Sequence, residues 1–581
     1  MRGLLGHVRA YEVRCPAMRV TTRTFVPALT AALAVSGCPT SPEPMPDAAM
    51  EPAIDAGSDA GTQADDAFVV VTPDAAANDD TGTPSNGCGL DAGPRPSTDA
   101  GLEGPPAPDA YPVPITHRAA QRTFTEAELG VACAGGFLDG GETDRDHHNG
   151  VFVSQGLLHM AWAHQDGGGG VSIWDIADPC APLLVGQTLD ATIRETHATG
   201  ETVMNGRRYL ATTSLTGIMF WDVTDPAAPE RIHDMTLPGV SSVPDAYMHV
   251  VMSVFWQAPY VYVGAADNGV FVIDASDPRA PRILTQWVPE PRLRVGGVHA
   301  IGNLLVVIAT EGGRTTLYDI SDPIVPRPIP GGTWTIVNGD VDRRGRPLAR
   351  LAYMGHVNGN RVGYARKDLG GGFISYDISD WTAPTLLQTW TAPDRGSGGY
   401  VFFRDDTAFV GESEYASELD LSGDAPVETR RYDIPGDVDF ITPIGNVAYV
   451  AVDDDAIDGQ ATAAMPQGLA PNTIPPEVNM VVPRDGATNV ALLSRIGLTL
   501  TDFVDMASVH AGSFFVREVG TSAPLAGTYS TQEGALNFTP AELLAPGTEY
   551  EIVVPAGGLL DAGGTPIATA FRATFTTVPC P

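Results

Sequence analysis

Gly170-Val171-Ser172-Ile173-Trp174-Asp175-Ile176-Ala177-Asp178-Pro179-Cys180-Ala181-Pro182 reads as an apolar run, an Asp, and then Asp-Pro-x-x-Pro. The phrase returns around Asp222 (FWDVTDPAAP), Asp274 (VIDASDPRAP), Asp319 (LYDISDPIVP) and Asp377 (SYDISDWTAP). A worn copy stands at Asp420 (LDLSGDAP). From Asp175 to Asp420 the copies recur at intervals of about the length of a four-stranded blade. A strand-like phrase repeating in that way marks stacked blades, so the chain reads as all-β and its main body as a β-propeller.

The phrase has a local logic. Val171, Ile173 and Trp174 are β-branched or aromatic and suit a buried strand. The Asp that ends the strand can accept backbone N–H groups of the following turn. The second Asp (Asp178, Asp225, Asp277, Asp322, Asp380) precedes Pro in four copies, which biases it toward extended backbone. That Pro cannot donate to a ladder, so it stops the strand. Leu183, Leu184 and Val185 then open an outermost strand, where a nearby Pro discourages edge-to-edge pairing.

His148, His197, His249, His299 and His356 each stand shortly before an apolar run. Each also precedes the next signature Asp by a similar distance, as His197 does Asp222, His249 does Asp274 and His299 does Asp319. That spacing predicts equivalent places in successive blades. Imidazoles turned toward a central channel could hold a metal or move protons. The alternative is a structural partner, donating to the turn Asp or to a backbone carbonyl of its own or a neighbouring blade. Repetition in blade after blade favours the structural role, because a catalytic site is asymmetric. The segment after Gly398 reads as a sixth blade without the His, and 436–453 as the first two strands of a seventh. Seven blades is the expectation, with six the alternative.

The repeats resemble those of the LVIVD-repeat family of exported bacterial and archaeal proteins, over roughly 140–470. Arg314 and Thr315 in the fourth copy, Trp381 in the fifth and the lost ending of the sixth depart from its pattern. The resemblance implies a propeller and little chemistry.

The beginning of the chain reads as an address. Residues 18–38 (MRVTTRTFVPALTAALAVSGC) carry a positive start at Arg19 and Arg23, a short apolar core from Phe25 to Val35, and Val35-Ser36-Gly37-Cys38. The last four resemble a bacterial lipobox, which implies lipid attachment at Cys38. The run is too short to span a bilayer. Residues 1–17 lie upstream of a complete signal, which makes Met18 an alternative start within the 1–38 segment. Residues 39–110 are rich in Pro, Ala, Asp and Gly, and such a chain cannot offset its ordering entropy. They are expected to be a disordered acidic spacer before a propeller over 111–470.

A formal net charge of −36 and a single lysine, Lys367, argue against a nucleic-acid partner. Beyond the signal stand Cys88, Cys133, Cys180 and Cys580, whose pairing the sequence leaves open among three arrangements. No CxxC pair supports zinc. Asp144-Arg145-Asp146-His147-His148, Asp340-Val341-Asp342 and Asp453-Asp454-Asp455-Ala456-Ile457-Asp458 contain metal-capable groups. None supplies a full calcium loop with its closing Glu, so no cofactor is expected, with calcium the alternative and the metal site unknown. No catalytic motif is found.

Pro475-Pro476 opens a different unit. Val482–Val490 (VPRDGATNV), Ile496–Leu500, Leu536–Pro540, Leu544–Tyr550 and Phe571–Thr577 read as short strands with frequent turns, hence a β-sandwich. Over 475–578 these phrases resemble the SbsA-type bacterial Ig-like domain, which implies a spacer or adhesive module without catalytic residues. The stretch 466–476 reads as a linker open to protease, separating the two modules. The expected protein is a non-enzymatic binding or adhesion scaffold, lipid-anchored at the outer membrane or cell surface. Its partner would be a protein, glycan or envelope component. An enzyme or metal-binding protein using the propeller channel and a purely structural envelope protein are the alternatives.

Overall fold

The computed structural model describes residues 120–580 apart from 134, 139–150, 155, 165–166, 244–246, 369, 395, 435 and 453–461. The signal segment, Cys38, the spacer, Cys88, His148 and the Asp-rich runs 144–148 and 453–458 lie outside the described residues.

Among the described residues, seven four-stranded antiparallel units follow one another. Their first strands are Val151–Ser154, Gly200–Met204, Ser253–Gln257, Val295–Ile301, Ala352–Asn358, Val401–Arg404 and Val438–Ile444. From the second unit on, successive first strands pack against one another, which puts them innermost around a common axis. The first, middle and third strands are almost wholly buried, whereas the outer strands alternate with solvent.

The repeated phrase builds the same corner each time. Oδ1 of Asp175, Asp222, Asp274, Asp319, Asp377 and Asp420 accepts the N–H two residues on, at 2.8–3.1 Å. Asp178, Asp225, Asp277, Asp322 and Asp380 do the same at 2.9–3.1 Å. The carbonyl of each of these five also accepts the N–H three residues on, closing a tight turn. Trp381 replaces Pro without disturbing it, because the turn rests on Asp380 and not on the ring. In all six copies the pairing with the outer strand slips just before the signature Asp, a bulge that sharpens the local twist.

The seventh unit is assembled from both ends of the propeller. Val438–Ile444, Val447–Val452 and Thr462–Pro466 are joined by Phe137–Leu138 as the outer strand, with Phe137 opposite Ala463 and Leu138 opposite Thr462. A two-residue strand offers no periodicity to read, and the sequence does not announce it. A disulfide fixes the same seam: Cys133, just before the closing strand, is bonded to Cys180 in the corner of the first unit, Cα–Cα 4.9 Å. Cys580 is also disulfide-bonded.

The C-terminal module is a sandwich of two sheets. One holds Val478–Val482, Ile496–Leu500, Ala535–Pro540 and Gly527–Gln532; the other holds Ala487–Val490, Phe571–Thr577, Glu549–Val554 and Phe515–Glu518. Its own core includes Phe514, Leu536, Phe538, Ile552 and Phe575.

The sandwich does not stand apart from the propeller. Gly527–Gln532 pairs antiparallel with Gly200–Met204, placing Tyr529 opposite Val203 and Thr531 opposite Glu201, so the two sheets run on as one eight-stranded sheet. The stretch 466–476 is likewise tied down. Gln467 N–H donates to Asn446 O at 2.8 Å, and Phe124 N–H to Leu469 O at 2.8 Å. Asn472 N–H donates to Gln121 Oε1 at 2.7 Å. The expectation of two modules on an open linker is therefore corrected: composition suggested a linker, but Leu469 and Asn472 are held by Phe124 and Gln121, and the two modules pair strand to strand.

Candidate functional site

The axis of the propeller gathers three of the sequence's histidines. His299 on Val295–Ile301 and His356 on Ala352–Asn358 occupy the same register, each two residues before the strand's last pairing residue. Phe255, Thr202, Phe152 and Phe402 hold that position in other units. His197 and His249 lie before their strands instead, and His249 is only half-buried. Among the described members of the series the expected equivalence is limited to one pair, because spacing to the signature Asp absorbs loops of unequal length.

The three axial imidazoles reach neighbouring backbone and glutamates. His299 Nε2 lies 2.9 Å from Gly355 O in the next unit, and only an N–H can donate there. Burial pushes the His299 imidazole below its ordinary value, against the opposing pull of Glu533. His197 Nδ1 lies 3.1 Å from Met252 O, also in the next unit, and Nε2 lies 2.5 Å from Glu195 Oε1. His356 Nε2 meets Glu533 Oε2 at 2.6 Å. The first two contacts fit the structural role, as donors to a neighbouring unit's backbone.

Glu533 comes from the sandwich. It stands at the tip of the hairpin between Gly527–Gln532 and Ala535–Pro540, in the left-handed region at φ 58°. A non-glycine residue there is uncommon and is held by its surroundings. Burial works to raise the Glu533 carboxyl, but the His356 and His299 imidazoles outweigh it and hold it below the usual glutamate value. The neighbouring Gln532 donates Nε2 to Val254 O at 3.0 Å. Sequence reading had no means of finding this plug: Glu533 is one acidic residue among many and lies in a different module from its partner His356.

Aromatic rings also stand along the axis. Tyr400 stacks on Phe440 at 3.7 Å and on His197 at 5.5 Å, while Phe402 and Phe503 pack edge to face at 5.6 Å. Two cavities among the described residues, of about 30 and 20 Å³, are lined in part by His197, His299, His356 and Glu533. Such volumes hold one or two waters and no larger ligand. At the other mouth, Lys367 Nζ lies 4.4 Å over the Tyr353 ring, whose hydroxyl is 3.5 Å from His197 Nε2.

The described part of the other acidic candidates is engaged by arginine. Asp342 accepts Arg346 Nε at 2.7 Å and two backbone N–H groups, while Asp340 pairs with Arg350 at 2.5 Å. Among the described residues no group of three or more His, Cys, Asp or Glu is arranged around a common point for a metal.

Against known families, residues 251–286 match the LVIVD repeat and residues 472–577 match the bacterial Ig-like domain. No curated protein matches. Solved structures with similar arrangements include Saccharomyces cerevisiae Sqt1, 10% identical, TM-score 0.38, covering 70% of this chain and 97% of that one. Kluyveromyces lactis Hsv2p is 12% identical, TM-score 0.36, covering 53% and 90%. A chain of the mitotic checkpoint complex is 12% identical, TM-score 0.40, covering 57% and 94%. Scores this low bear on neither ligand nor activity. The chain is a β-propeller carrying an LVIVD repeat, joined to a bacterial Ig-like domain, an architecture compatible with binding or scaffolding.

Proposed function

We propose that this protein is a non-catalytic binding or adhesion scaffold of the bacterial cell envelope, lipid-anchored through Cys38 at the outer membrane or cell surface. The observation that carries the reading is the seating of the Ig-like hairpin, with Glu533 at its tip, in the axis where a propeller would otherwise hold a ligand. Among the described residues, side chains from both modules stand in that space, which favours recognition at the outer surfaces. The resemblance of 472–577 to bacterial Ig-like domains supports a surface address, and the lipobox at Cys38 supports the anchor. The Asp-rich spacer would hold the head away from the membrane through its own repulsion.

The test is retention of bacterial envelope fragments by the immobilised protein, with the fragments recovered chemically unchanged. Loss of all retention would remove the binding role, and altered fragments would make the protein an enzyme. The anchor is tested separately by membrane fractionation and fatty-acid labelling of the wild type and Cys38→Ala. Equal labelling in both would exclude Cys38.

A further inference from the structure

One groove stands out against the chain's overall charge. It lies between the third, fourth and fifth units, has a volume of about 570 Å³, and includes Asp267, Arg292, Arg294, Thr310, Glu311 and Arg314 in its lining. Residues 292–350 contain eight arginines against five carboxylates, in a chain of net charge −36. The groove is built from the turn after Leu304–Ala309, at the opposite end of the strands from the hairpins that meet the sandwich, so the docked module leaves it open.

Its charges are held in place. Arg294 lies 3.3 Å from Asp267 and 3.5 Å from Glu311. Arg292 is 3.9 Å from the same Asp267 and is two-thirds exposed, and Arg314 Nη1 donates to Pro291 O at 3.2 Å. Three guanidinium groups against two carboxylates leave one positive charge over. In the wall, the Thr310 hydroxyl is buried and has no hydrogen-bond partner among the described residues. Leaving such a group unsatisfied is costly, and rotation about its side-chain torsion is the small change that would let a ligand satisfy it.

We infer that this groove binds the carboxylate of an acidic sugar residue, a reading that rests on the binding-scaffold role proposed above. A single surplus charge suits a monoanion better than a phosphate carrying nearly two. The net charge of −36 repels any long polyanion over a Debye length of about 8 Å, whereas one carboxylate at a glycan end enters the groove alone. Guanidinium forks match carboxylate geometry. Recognition of a peptide C-terminus would also want an apolar pocket for the terminal side chain. The apolar lining here is only Leu293, Ala309 and Ala349.

The experiment is calorimetric titration of the purified protein with D-galacturonate, D-galactose, and a short peptide with a free C-terminus. Galacturonate should bind and galactose should not. Arg292→Gln and Arg314→Gln, both at accessible positions, should each weaken binding roughly tenfold with an unchanged melting temperature. Thr310→Val should weaken it while preserving shape. Binding that survives both arginine substitutions, equal binding of galactose, or preference for the peptide would overturn the assignment. Absence of galacturonate binding while envelope fragments are still retained would sink the site and leave the scaffold reading. Galacturonate bound there but recovered as a new product would keep the site and sink the scaffold reading.

Discussion

At the residue scale, this protein buries ionisable groups in states that make its stability depend on pH in opposite ways. Glu412 is fully buried, accepts the Gly372 N–H at 3.0 and 3.2 Å, and is pushed by burial from the ordinary glutamate value up to about 8. A carboxyl raised in the folded state adds stability that is complete below its unfolded value and is lost as pH climbs through about 8. Glu412→Gln should therefore gain melting temperature relative to wild type at pH 9 compared with pH 5; an unchanged difference would contradict the buried acid. His299 and His159 act the other way, because burial lowers both. Their contribution is complete above their unfolded value of about 6.5 and fades as pH falls toward the folded value. Neither ring nitrogen of His159 has a partner among the described residues. His159→Leu should flatten the acid side of the melting curve, while a steeper acid loss would show that the imidazole is paired. Asp222, Asp274 and their counterparts were legible in the sequence because every partner is two residues away. Glu412 was not, because its partner Gly372 belongs to the preceding unit.

At the scale of single elements, the ring is held shut by very little secondary structure. The two-residue strand Phe137–Leu138 closes the seventh unit, and the Cys133–Cys180 disulfide secures the segment leading into it. The bridge spans 47 residues, for which the loop-entropy account gives about 4 kcal/mol. Cys180→Ser should cost stability of that order and make residues 120–138 the first to be cut by protease. First cleavage elsewhere would mean that the strand holds without the bond. The turn-and-strand phrase shows why the blades could be read and their closure could not. Six copies of a local signal reinforce one another, whereas the closing strand has one short copy and a partner, Thr462–Pro466, at the far end of the propeller sequence. The sandwich was legible as strands for the same reason, and its docking was not. That docking depends on single polar residues such as Asn537, which accepts Gln257 Nε2 at 3.0 Å and Gly302 N–H at 2.8 Å, and donates to Ala300 O at 2.9 Å. Asn537→Ala would strand these buried groups at about 1–3 kcal/mol each, and a loss below about 1 kcal/mol in denaturant melts would argue against the interface.

At the scale of the molecule, the propeller and the Ig-like module share a sheet, a buried arginine and an axial contact between His356 and Glu533. Arg495 of the sandwich is fully buried, donates Nε to Gln257 Oε1 at 2.8 Å, and also donates to Ile320 O in the propeller. A buried cation without its acceptors is strongly destabilising, so separating the modules is costly on both sides. Their mutual support couples the two modules energetically, in keeping with the proposed scaffold role. The most direct test is differential scanning calorimetry of the purified protein, combined with limited proteolysis. A single cooperative transition is expected, with no intact fragment of 475–580 released before the propeller unfolds. Two separate transitions, or a free sandwich beside a folded propeller, would contradict it.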